Sequence, residues 1–238
     1  MLSLKNISWK DGTKILIEDL TCDIAPCECV AIDLPDDHAI KILVQLLMGE
    51  KTLQTGGIFI DGIPLGKLTP RLLQFYRRSI GIVLPTEELL MDRSVAENIA
   101  LPLRARGMST RNKHEKIETI LAKIDLQGKE SMLLRHLSHA EQRCVAFAVA
   151  LVADPQILYI EDIGNDSSDA ETQAMIDTLL QEAMNRETSI IIATRTSDRF
   201  ASLRPRVISR RGETKTSEKL GETHWKTAER TRIIPTAL

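Results

Sequence analysis

The sequence predicts an α/β fold with a mainly parallel core sheet flanked by helices, and two patterns carry this prediction. Short apolar runs of strand length alternate with amphipathic stretches of helical length, an order that places consecutive strands side by side and parallel. Buried strands are predicted at residues 28–32, 79–84, 156–160 and 189–193. A stretch from about residue 87 to 153 shows only helical patterns, which indicates an inserted helical subdomain.

The first sixty residues predict a small antiparallel β layer beside this core. Residues 2–9 and 15–24 read as strands, and Asp11-Gly12 between them is typical of a hairpin turn. A third strand, within residues 56–62, closes in another turn.

The predicted helices have recognisable start signals. Thr69 and Pro70 supply an N-cap and a first-turn proline, Ser94 begins a capping box, and Ser138 caps a long helix rich in alanine and valine. Further helices are predicted at residues 39–48, 110–125 and 169–186, and a last short strand at 207–209.

Composition limits the class of protein. With 238 residues the chain fits one large α/β domain, and its net charge of −2 gives no overall field for a nucleic acid or a membrane surface. Aromatic residues make up only 3%, which disfavours a base-stacking platform. Residues 1–5 lead into a strand pattern without a signal peptide, and no apolar run reaches the length of a membrane span. We therefore expect a soluble, cytoplasmic protein that does not bind nucleic acid.

The four cysteines do not predict a metal site. Cys22, Cys27, Cys29 and Cys144 contain no C-x-x-C pair, and a metal held by Cys27 and Cys29 would need two further ligands where only His38 is near. We expect reduced, half-buried thiols and no resident metal.

One strand–turn–helix stretch, residues 30–49, organises the functional argument. An apolar strand runs into a short polar turn and then into a helix with an apolar stripe, which is the frame in which phosphate-binding proteins place G-x-x-x-x-G-K-[ST]. Leu34, Asp37 and Ala39 stand where this frame has glycine or another small residue, and Ile40 stands where it has lysine. The frame is present, and the residues that hold phosphate are replaced.

Several motifs in one order make the chain similar to a known family. Residues 89–103 read LLMDRSVAENIALPL, residues 137–142 read LSHAEQ where the family has LSGGEQ, and residues 157–162 read ILYIED where it has four apolar residues and then Asp-Glu. Over residues 2–212 the chain resembles the ATP-binding subunits of ABC transporters. It looks most like the branch that contains the cell-division (FtsE-type), lipoprotein-release and macrolide-export ATPases.

The resemblance implies a P-loop NTPase-like domain at residues 1–212, with the helical subdomain at about 87–153 and a polar tail at 213–238. It also implies where the family would hold ATP and Mg²⁺: at the phosphate loop, at the glutamine position after the second core strand, at the signature loop, at an acidic pair and at a switch histidine. In this chain the phosphate-loop positions are Leu34, Pro35, Asp36, Asp37, His38, Ala39, Ile40, Lys41 and Ile42, and the glutamine position is Pro85. The signature loop is Ser138, His139, Ala140 and Glu141, the acidic pair is Glu161 and Asp162, and the switch-histidine position is Arg195.

These positions depart from the family pattern in ways that disfavour catalysis. Asp36 and Asp37 bring negative charge to where a polyphosphate would sit, at a cost of a few kcal/mol for each like-charge contact. Glu161 and Asp162 exchange the family's two acids, so that each carboxylate is displaced by a methylene group. Arg195 cannot exchange protons at neutral pH.

We interpret the chain as a degenerate ATP-binding subunit, a pseudo-ATPase kept for shape and docking, without ATP, Mg²⁺ or another cofactor. Its expected partners are a second copy or an intact ABC ATPase, and an integral-membrane subunit that docks near residues 85–103, on the cytoplasmic face of the inner membrane. Two alternatives stay open. One is an ATPase that uses Lys41 with Glu161 and Asp162, and the other is a soluble scaffold or regulator without a membrane partner.

Three side-chain and segment positions follow as expectations. Lys41 lies one residue too late for the family's lysine, and its amine should point away from the loop because a helix turns about 100° per residue. Arg195, or failing that His38, should pair with a carboxylate of the acidic pocket; the alternative is that Arg195 faces solvent. The candidate carboxylates are Asp36, Asp37, Glu161 and Asp162. The tail after residue 210 should be either a solvated extension or an arm that orders on a partner.

Overall fold

The computed structural model describes residues 1–162, 170–195, 197–208, 214–215 and 232–235. Within them the chain has the α/β organisation that the sequence predicts. The strands are β1 Leu2–Asp11, β2 Lys14–Ile24, β3 Cys29–Asp33, β4 Thr55–Ile60, β5 Ile63–Pro64, β6 Ile80–Val83, β7 Ile157–Asp162, β8 Ser189–Thr194, β9 Arg206–Ile208 and β10 Thr214–Lys215. The α-helices are α1 Asp37–Leu47, α2 Pro70–Ser79, α3 Val95–Ala105, α4 Thr110–Lys123, α5 His139–Leu151 and α6 Ala170–Asn185.

The core sheet has the strand order β10-β9-β3-β8-β7-β6, and its strands run parallel except for β10, which pairs antiparallel with β9. Alternate residues of β3 pack into two different hydrophobic clusters, Ala31 into one and Val30 and Ile32 into the other. The sheet is therefore buried on both faces, which explains why its strands read as continuous apolar runs rather than as alternating patterns.

The predicted antiparallel layer is a four-stranded sheet of order β2-β1-β4-β5. Its inner face joins α1 and one face of the core sheet in a single hydrophobic cluster that includes Leu4, Leu20 and Leu43. The turn between β4 and β5 places Asp61 at a positive φ of 51°, a backbone conformation that Asp and Asn tolerate better than most residues.

Helices α3, α4 and α5 form the helical stretch between β6 and β7. Both predicted serine caps are present: Ser94 and Ser138 each form a complete capping box with the glutamate three residues later. Buried Asn98 fixes the loop before α3, because its side-chain amide donates to the backbone oxygens of Leu90 and Ser94, both at 3.0 Å.

Strand β6 and helix α5 touch directly at Gly81. A Cβ atom on Gly81 would lie 2.2 Å from the backbone oxygen of Ala150, so a side chain cannot fit at this point without displacing backbone. The absence of a side chain therefore sets the distance between the edge strand of the core and the helical stretch.

The prediction for the tail is wrong where the structure describes it. Ile233 and Ile234 donate their backbone N–H groups to Asp61 Oδ2 at 2.7 and 3.1 Å, and the side chain of Ile234 is only 3% exposed. Residues 232–235 therefore pack on this chain's own antiparallel layer, because Asp61 offers an acceptor and the layer offers apolar surface. Residues 209–213, 216–231 and 236–238 lie outside the described residues, as does position 169 of the predicted sixth helix.

The cysteines are more buried than the sequence suggested. Cys22, Cys29 and Cys144 are buried and Cys27 is partly buried, and all four are free thiols. Burial raises the pKa of Cys29 to about 12 and that of Cys22 to about 11, which keeps both thiols protonated and unreactive. None of the described helices is long and apolar enough to span a bilayer.

Candidate functional site at the carboxyl end of the core sheet

The sequence-predicted site residues meet where β3, β7 and β8 end. Parallel strands present their carboxyl ends at one edge of a sheet, where α/β proteins place their ligand sites. Here that edge carries the turn after β3, the acidic pair Glu161 and Asp162 at the end of β7, and Arg195 after β8. The turn is fixed to the neighbouring strand, since the N–H of Leu34 donates to the backbone oxygen of Thr194 at 2.9 Å.

The turn ends in a helix N-terminus that is capped by its own carboxylate. Asp36 has an extended backbone, and its Oδ1 accepts the N–H of Ala39 at 2.9 Å while its backbone oxygen accepts the N–H of Ile40 at 3.2 Å. A helix N-terminus is the place where phosphate-binding loops offer such N–H groups to an anion. In this chain the N–H of Ala39 is bonded to a carboxylate of the protein itself, whereas the Ile40 bond is the first regular bond of the helix.

Ile40, which occupies the position of the family's lysine, points into the core. Ile40 is completely buried, as is Ala39, and Ile42 is nearly so. The backbone oxygen of Ile40 accepts the hydroxyl of Tyr159 at 3.1 Å, which ties the first turn of α1 to the centre of β7. Ile40 therefore stabilises the packing of α1 on the sheet and presents no group to the surface of the site.

A lysine from the first hairpin neutralises Asp36. Lys14 Nζ lies 2.5 Å from Asp36 Oδ2, and this hydrogen bond is the main reason why the pKa of Asp36 is lowered. Lys14 follows the turn between β1 and β2, so the tip of the antiparallel layer reaches the phosphate-loop position. The sequence analysis did not identify Lys14.

The predicted pairing of Arg195 is confirmed, with Asp37 as the partner. Arg195 Nε lies 3.3 Å from Asp37 Oδ1, and both side chains are 43% exposed. The two side chains are thus half-exposed, although Asp37 Oδ1 itself is buried and its contact with Arg195 is an ion pair without a hydrogen bond. His38, the other candidate, lies nearest to Asp11, at 3.8 Å between Nε2 and Oδ2.

Lys41 contacts a carboxylate outside the phosphate loop. Lys41 Nζ lies 3.1 Å from Glu88 Oε1, and this bond, with smaller contributions from Glu161 and Asp37, raises the pKa of Lys41. The contact agrees with the expectation that this amine does not enter the loop. Lys41 therefore places a third cation at this end of the sheet.

The acidic pair at the end of β7 is buried, and its two members differ. Asp162 accepts the hydroxyl of Thr194 from the neighbouring strand at 2.7 Å. Glu161 is 6% exposed, and its Oε2 is buried without a hydrogen bond from any described residue. Burial, with the charge of Glu88 as a second cause, raises the pKa of Glu161 to about 7, although Lys41 acts in the opposite direction.

The signature loop is also engaged within the chain. The hydroxyl of Ser138 donates to Glu141 Oε2 at 2.9 Å, and Lys129 forms an ion pair with the same glutamate. His139 Nε2 lies 3.2 Å from Thr86 Oγ1, one residue after Pro85. The start of α5 and the loop after β6 are thus in contact, and Ala140 adds no polar group.

The sequence analysis missed four residues that the geometry brings into the site. Three are charged or hydroxylated side chains with no motif of their own, and the fourth ends β8; they are Lys14, Thr86, Glu88 and Thr194. Three of them lie beside motif positions in the sequence: Thr86 and Glu88 follow Pro85, and Thr194 precedes Arg195. No motif position lies next to Lys14.

Comparison with known proteins agrees with the fold and the order of these motifs. A sequence profile described as "ABC transporter" matches residues 42–162, half of the chain. The chain belongs to the ABC transporter family. The profile match starts at Ile42, the last of the phosphate-loop positions, and it includes the helical stretch and the acidic pair.

Curated relatives carry the name methionine import ATP-binding protein MetN. The protein from Mannheimia succiniciproducens is 30% identical over 202 residues, which are 81% of this chain and 56% of the relative. The protein from Photobacterium profundum is 36% identical over 138 residues, or 58% of this chain and 40% of the relative. The chain spans about half the length of the curated relatives it matches. These names belong to a branch other than the FtsE-type branch that the sequence resembled.

Solved structures confirm the ABC-type fold. A dimeric post-hydrolysis state of the ATP-binding cassette MJ0796 bound to ADP and Pi has a TM-score of 0.75 at 23% identity and covers 93% of this chain and 99% of its own. The CbiO1 protein of Clostridium perfringens, part of the transporter complex cbiONQ, has a TM-score of 0.74 at 21% identity and covers 90% of this chain and 86% of its own.

Proposed function

We propose that this chain is an ABC-type subunit that supports a transport or cell-envelope complex without hydrolysing ATP at its own site. The main support is the capped start of α1: Asp36 bonds the N–H of Ala39, and Lys14 neutralises Asp36. An incoming phosphate would have to displace an internal carboxylate that is already paired. The buried side chain of Ile40 offers no cation in its place.

The same residues do not fit a magnesium ion bound with ATP. Ile42 provides no hydroxyl, Pro85 provides neither a side-chain ligand nor an N–H, and Asp162 is bonded to Thr194. In the described residues no three His, Cys, Asp or Glu side chains lie close enough together to hold a metal ion.

The partner arrangement forms part of the same proposal. A groove of about 370 Å³ lies between the end of α2, the edge strand β6 and helices α3 and α5, and it adjoins the predicted docking segment at Pro102. Its apolar floor includes Ile80 and Ile82, and Arg78 and Arg106 stand at its side. Burial lowers the pKa of Arg106, and the charge of Arg78 adds to this effect, so a partner segment with an apolar face and an acidic residue would be complementary.

Dimerisation, with a second copy or with an intact ATPase, would place α5 of this chain opposite a partner's nucleotide site. The hydroxyl of Ser138 is already bonded to Glu141, which weakens any contribution of this signature loop to the partner's ATP. The branch and the transported substrate also remain proposals: residues 89–103 favour the FtsE-type branch, and the names of the relatives favour methionine import. The permease genes beside this gene would discriminate between the two.

One observation favours a second candidate, an ATPase with non-standard residues. A buried carboxyl group with a pKa of about 7 is suited to general base catalysis, and Glu161 is such a group. In this alternative Lys41 would supply the cation, since it lies among the same carboxylates.

Nucleotide binding tests the proposal. The purified chain is titrated with a fluorescent ATP analogue in the presence of Mg²⁺, and phosphate release is followed in parallel, with Glu161→Gln and Asp162→Asn as variants. We expect no saturable binding at submillimolar nucleotide and no phosphate release. Micromolar binding, together with phosphate release that Glu161→Gln or Asp162→Asn abolishes, would establish the second candidate instead.

A further inference from the structure

A second concave site lies at the opposite, amino end of the core sheet. It is a cavity of about 170 Å³ between the C-terminal ends of α5 and α6, helix α4 and the starts of β7 and β8. Apolar side chains from several elements line it, among them Ile120, Leu151, Ile157 and Leu179. An apolar cavity of about 150 Å³ is known to be large enough for one benzene ring. This cavity therefore has room for a small ring with a short side chain.

The described tail closes one side of this cavity. Ile233 lines it, and the segment is held by Asp61 and by Gln156, whose Nε2 donates to the backbone oxygen of Arg232 at 3.4 Å. The wall is therefore formed by residues far apart in sequence. Such a wall cannot be read from any single motif.

Among the charged side chains that line the cavity, there is one more carboxylate than there are cations. Lys123 forms an ion pair with Glu182, and Arg186 lies 3.1 Å from Asp154, so both cations that line the cavity are already neutralised. Asp154 also pairs with Lys116, which does not line the cavity. The carboxylate of Glu187, which also lines the cavity, forms no ion pair with a described residue. Met1 lines the cavity too, but its ammonium group is paired with Asp61.

Two further features give the cavity a negative character. Helices α5 and α6 both end here, and the carbonyl ends of helices carry partial negative charge. Gln156 lines the cavity, and its Oε1 is buried without a hydrogen bond from the described residues, so it lacks a donor. A buried acceptor without a donor costs free energy that a ligand N–H can recover.

We propose that this cavity binds a small organic cation, an ammonium group attached to an apolar body of about one aromatic ring. The apolar body fills the space between Ile120, Leu151 and Leu179. The ammonium group donates to Gln156 Oε1 and faces the carboxylate of Glu187. This inference does not depend on the proposed function, because the cavity is at the end of the sheet opposite to the phosphate-loop position.

Three compounds of matched shape and different charge test the proposal in the purified chain. Isothermal titration is carried out with 2-phenylethylammonium, 2-phenylethanol and phenylacetate. We expect the ammonium compound to bind up to about fivefold more tightly than the alcohol, since one partly exposed ion pair contributes up to about 1 kcal/mol, and the carboxylate to bind more weakly than the alcohol. Equal affinity for all three compounds, or no binding of the ammonium compound up to millimolar concentration, would refute the proposal.

Variants locate the site. Glu187 is exposed, so Glu187→Gln should fold normally and remove the preference for the ammonium compound while it leaves the affinity for the alcohol unchanged. Glu171→Gln, in the first turn of α6, whose last residue precedes Glu187 by two, is the matched control and should keep the preference. Ala183→Leu should fill the cavity and abolish binding of both compounds. A preference that survives Glu187→Gln would place the cation elsewhere and contradict the inference, whether or not Ala183→Leu folds.

Discussion

The two ends of the core sheet use charge in different ways. At the carboxyl end, where the family holds phosphate, three cations of this chain each neutralise a carboxylate: Lys14 with Asp36, Arg195 with Asp37 and Lys41 with Glu88. At the amino end the ion pairs surround an open cavity and leave Glu187 without a counter-ion among the described residues. The carboxyl end of the sheet is thus occupied by ion pairs within the chain, whereas the amino end keeps an open cavity.

Of the two ends of the sheet, the carboxyl end should give the largest change in stability, on substitution of Glu161. Its pKa is raised to about 7, so the folded state binds more protons than the unfolded state above the ordinary value of 4.5, and the free energy of unfolding falls as the pH rises from 4.5 through 7. Glu161→Gln removes this cost, and we expect the variant to be more stable than the natural chain by about 2 to 3 kcal/mol at pH 8. Urea denaturation at pH 5 and pH 8 measures the difference, which should be several times smaller at the lower pH.

Glu87→Gln is the control for this experiment, because Glu87 is an exposed glutamate in the loop after β6. It should not reproduce the gain in stability that is expected of Glu161→Gln at pH 8. If Glu161→Gln and the natural chain had the same free energy of unfolding at every pH, the buried carboxyl group of Glu161 would not destabilise the fold.

The next largest effect is expected at the amino end, at Asp61. This side chain accepts the ammonium group of Met1 and the N–H groups of Ile233 and Ile234. Asp61→Ala should lower the free energy of unfolding by about 2 kcal/mol, since hydrogen bonds to a charged group contribute most when they are partly buried. Hydrogen exchange should then become fast at Ile233 and Ile234.

Asp61→Asn provides the matched comparison, because asparagine tolerates the positive φ and keeps one acceptor. It should lose less stability than Asp61→Ala and retain part of the protection. Unchanged exchange at Ile234 in Asp61→Ala would mean that apolar packing alone holds the tail segment.

The cap of α1 should give a smaller effect. Asp36→Ala removes both the cap on Ala39 and the ion pair with Lys14, and should cost about 1 kcal/mol in thermal or chemical unfolding. Asp36→Asn keeps a good capping residue and loses only the ion pair, so it separates the two contributions. If both variants were equally destabilised, the ion pair rather than the cap would be what holds the turn.

Arg195→Ala should have the smallest effect, less than about 0.5 kcal/mol, because both partners of the Arg195–Asp37 pair are half-exposed and solvent screens the attraction. Differential scanning calorimetry at low and high salt measures it. A loss of more than 1 kcal/mol, independent of salt, would indicate that this pair is enclosed in solution.

The fold could be predicted from the sequence because local patterns determine it. The apolar run of β7 and the serine caps of α3 and α5 each follow from a few neighbouring residues, and Ser94 and Ser138 cap where expected. The position of residues 232–235 could not be predicted, because it depends on Asp61, which lies far away in sequence.

The site could be predicted only in part, for the same reason. The motif positions located Asp36, Asp37 and Arg195 correctly in space, and the Arg195–Asp37 pair is confirmed. Lys14 comes from a different sheet, and no spacing rule connects it to Asp36. The partner of Lys41 could not be predicted either, because Glu88 lies in a loop that no motif connects to α1.

The contact at Gly81 gives the molecule a mechanical property. The edge strand and α5 approach each other at Gly81 with no side chain between them. A force applied to β6 in the groove would therefore act directly on α5. The far end of that helix carries Ser138 and His139. A shift of β6 would therefore be passed through α5 to the residues of the signature loop.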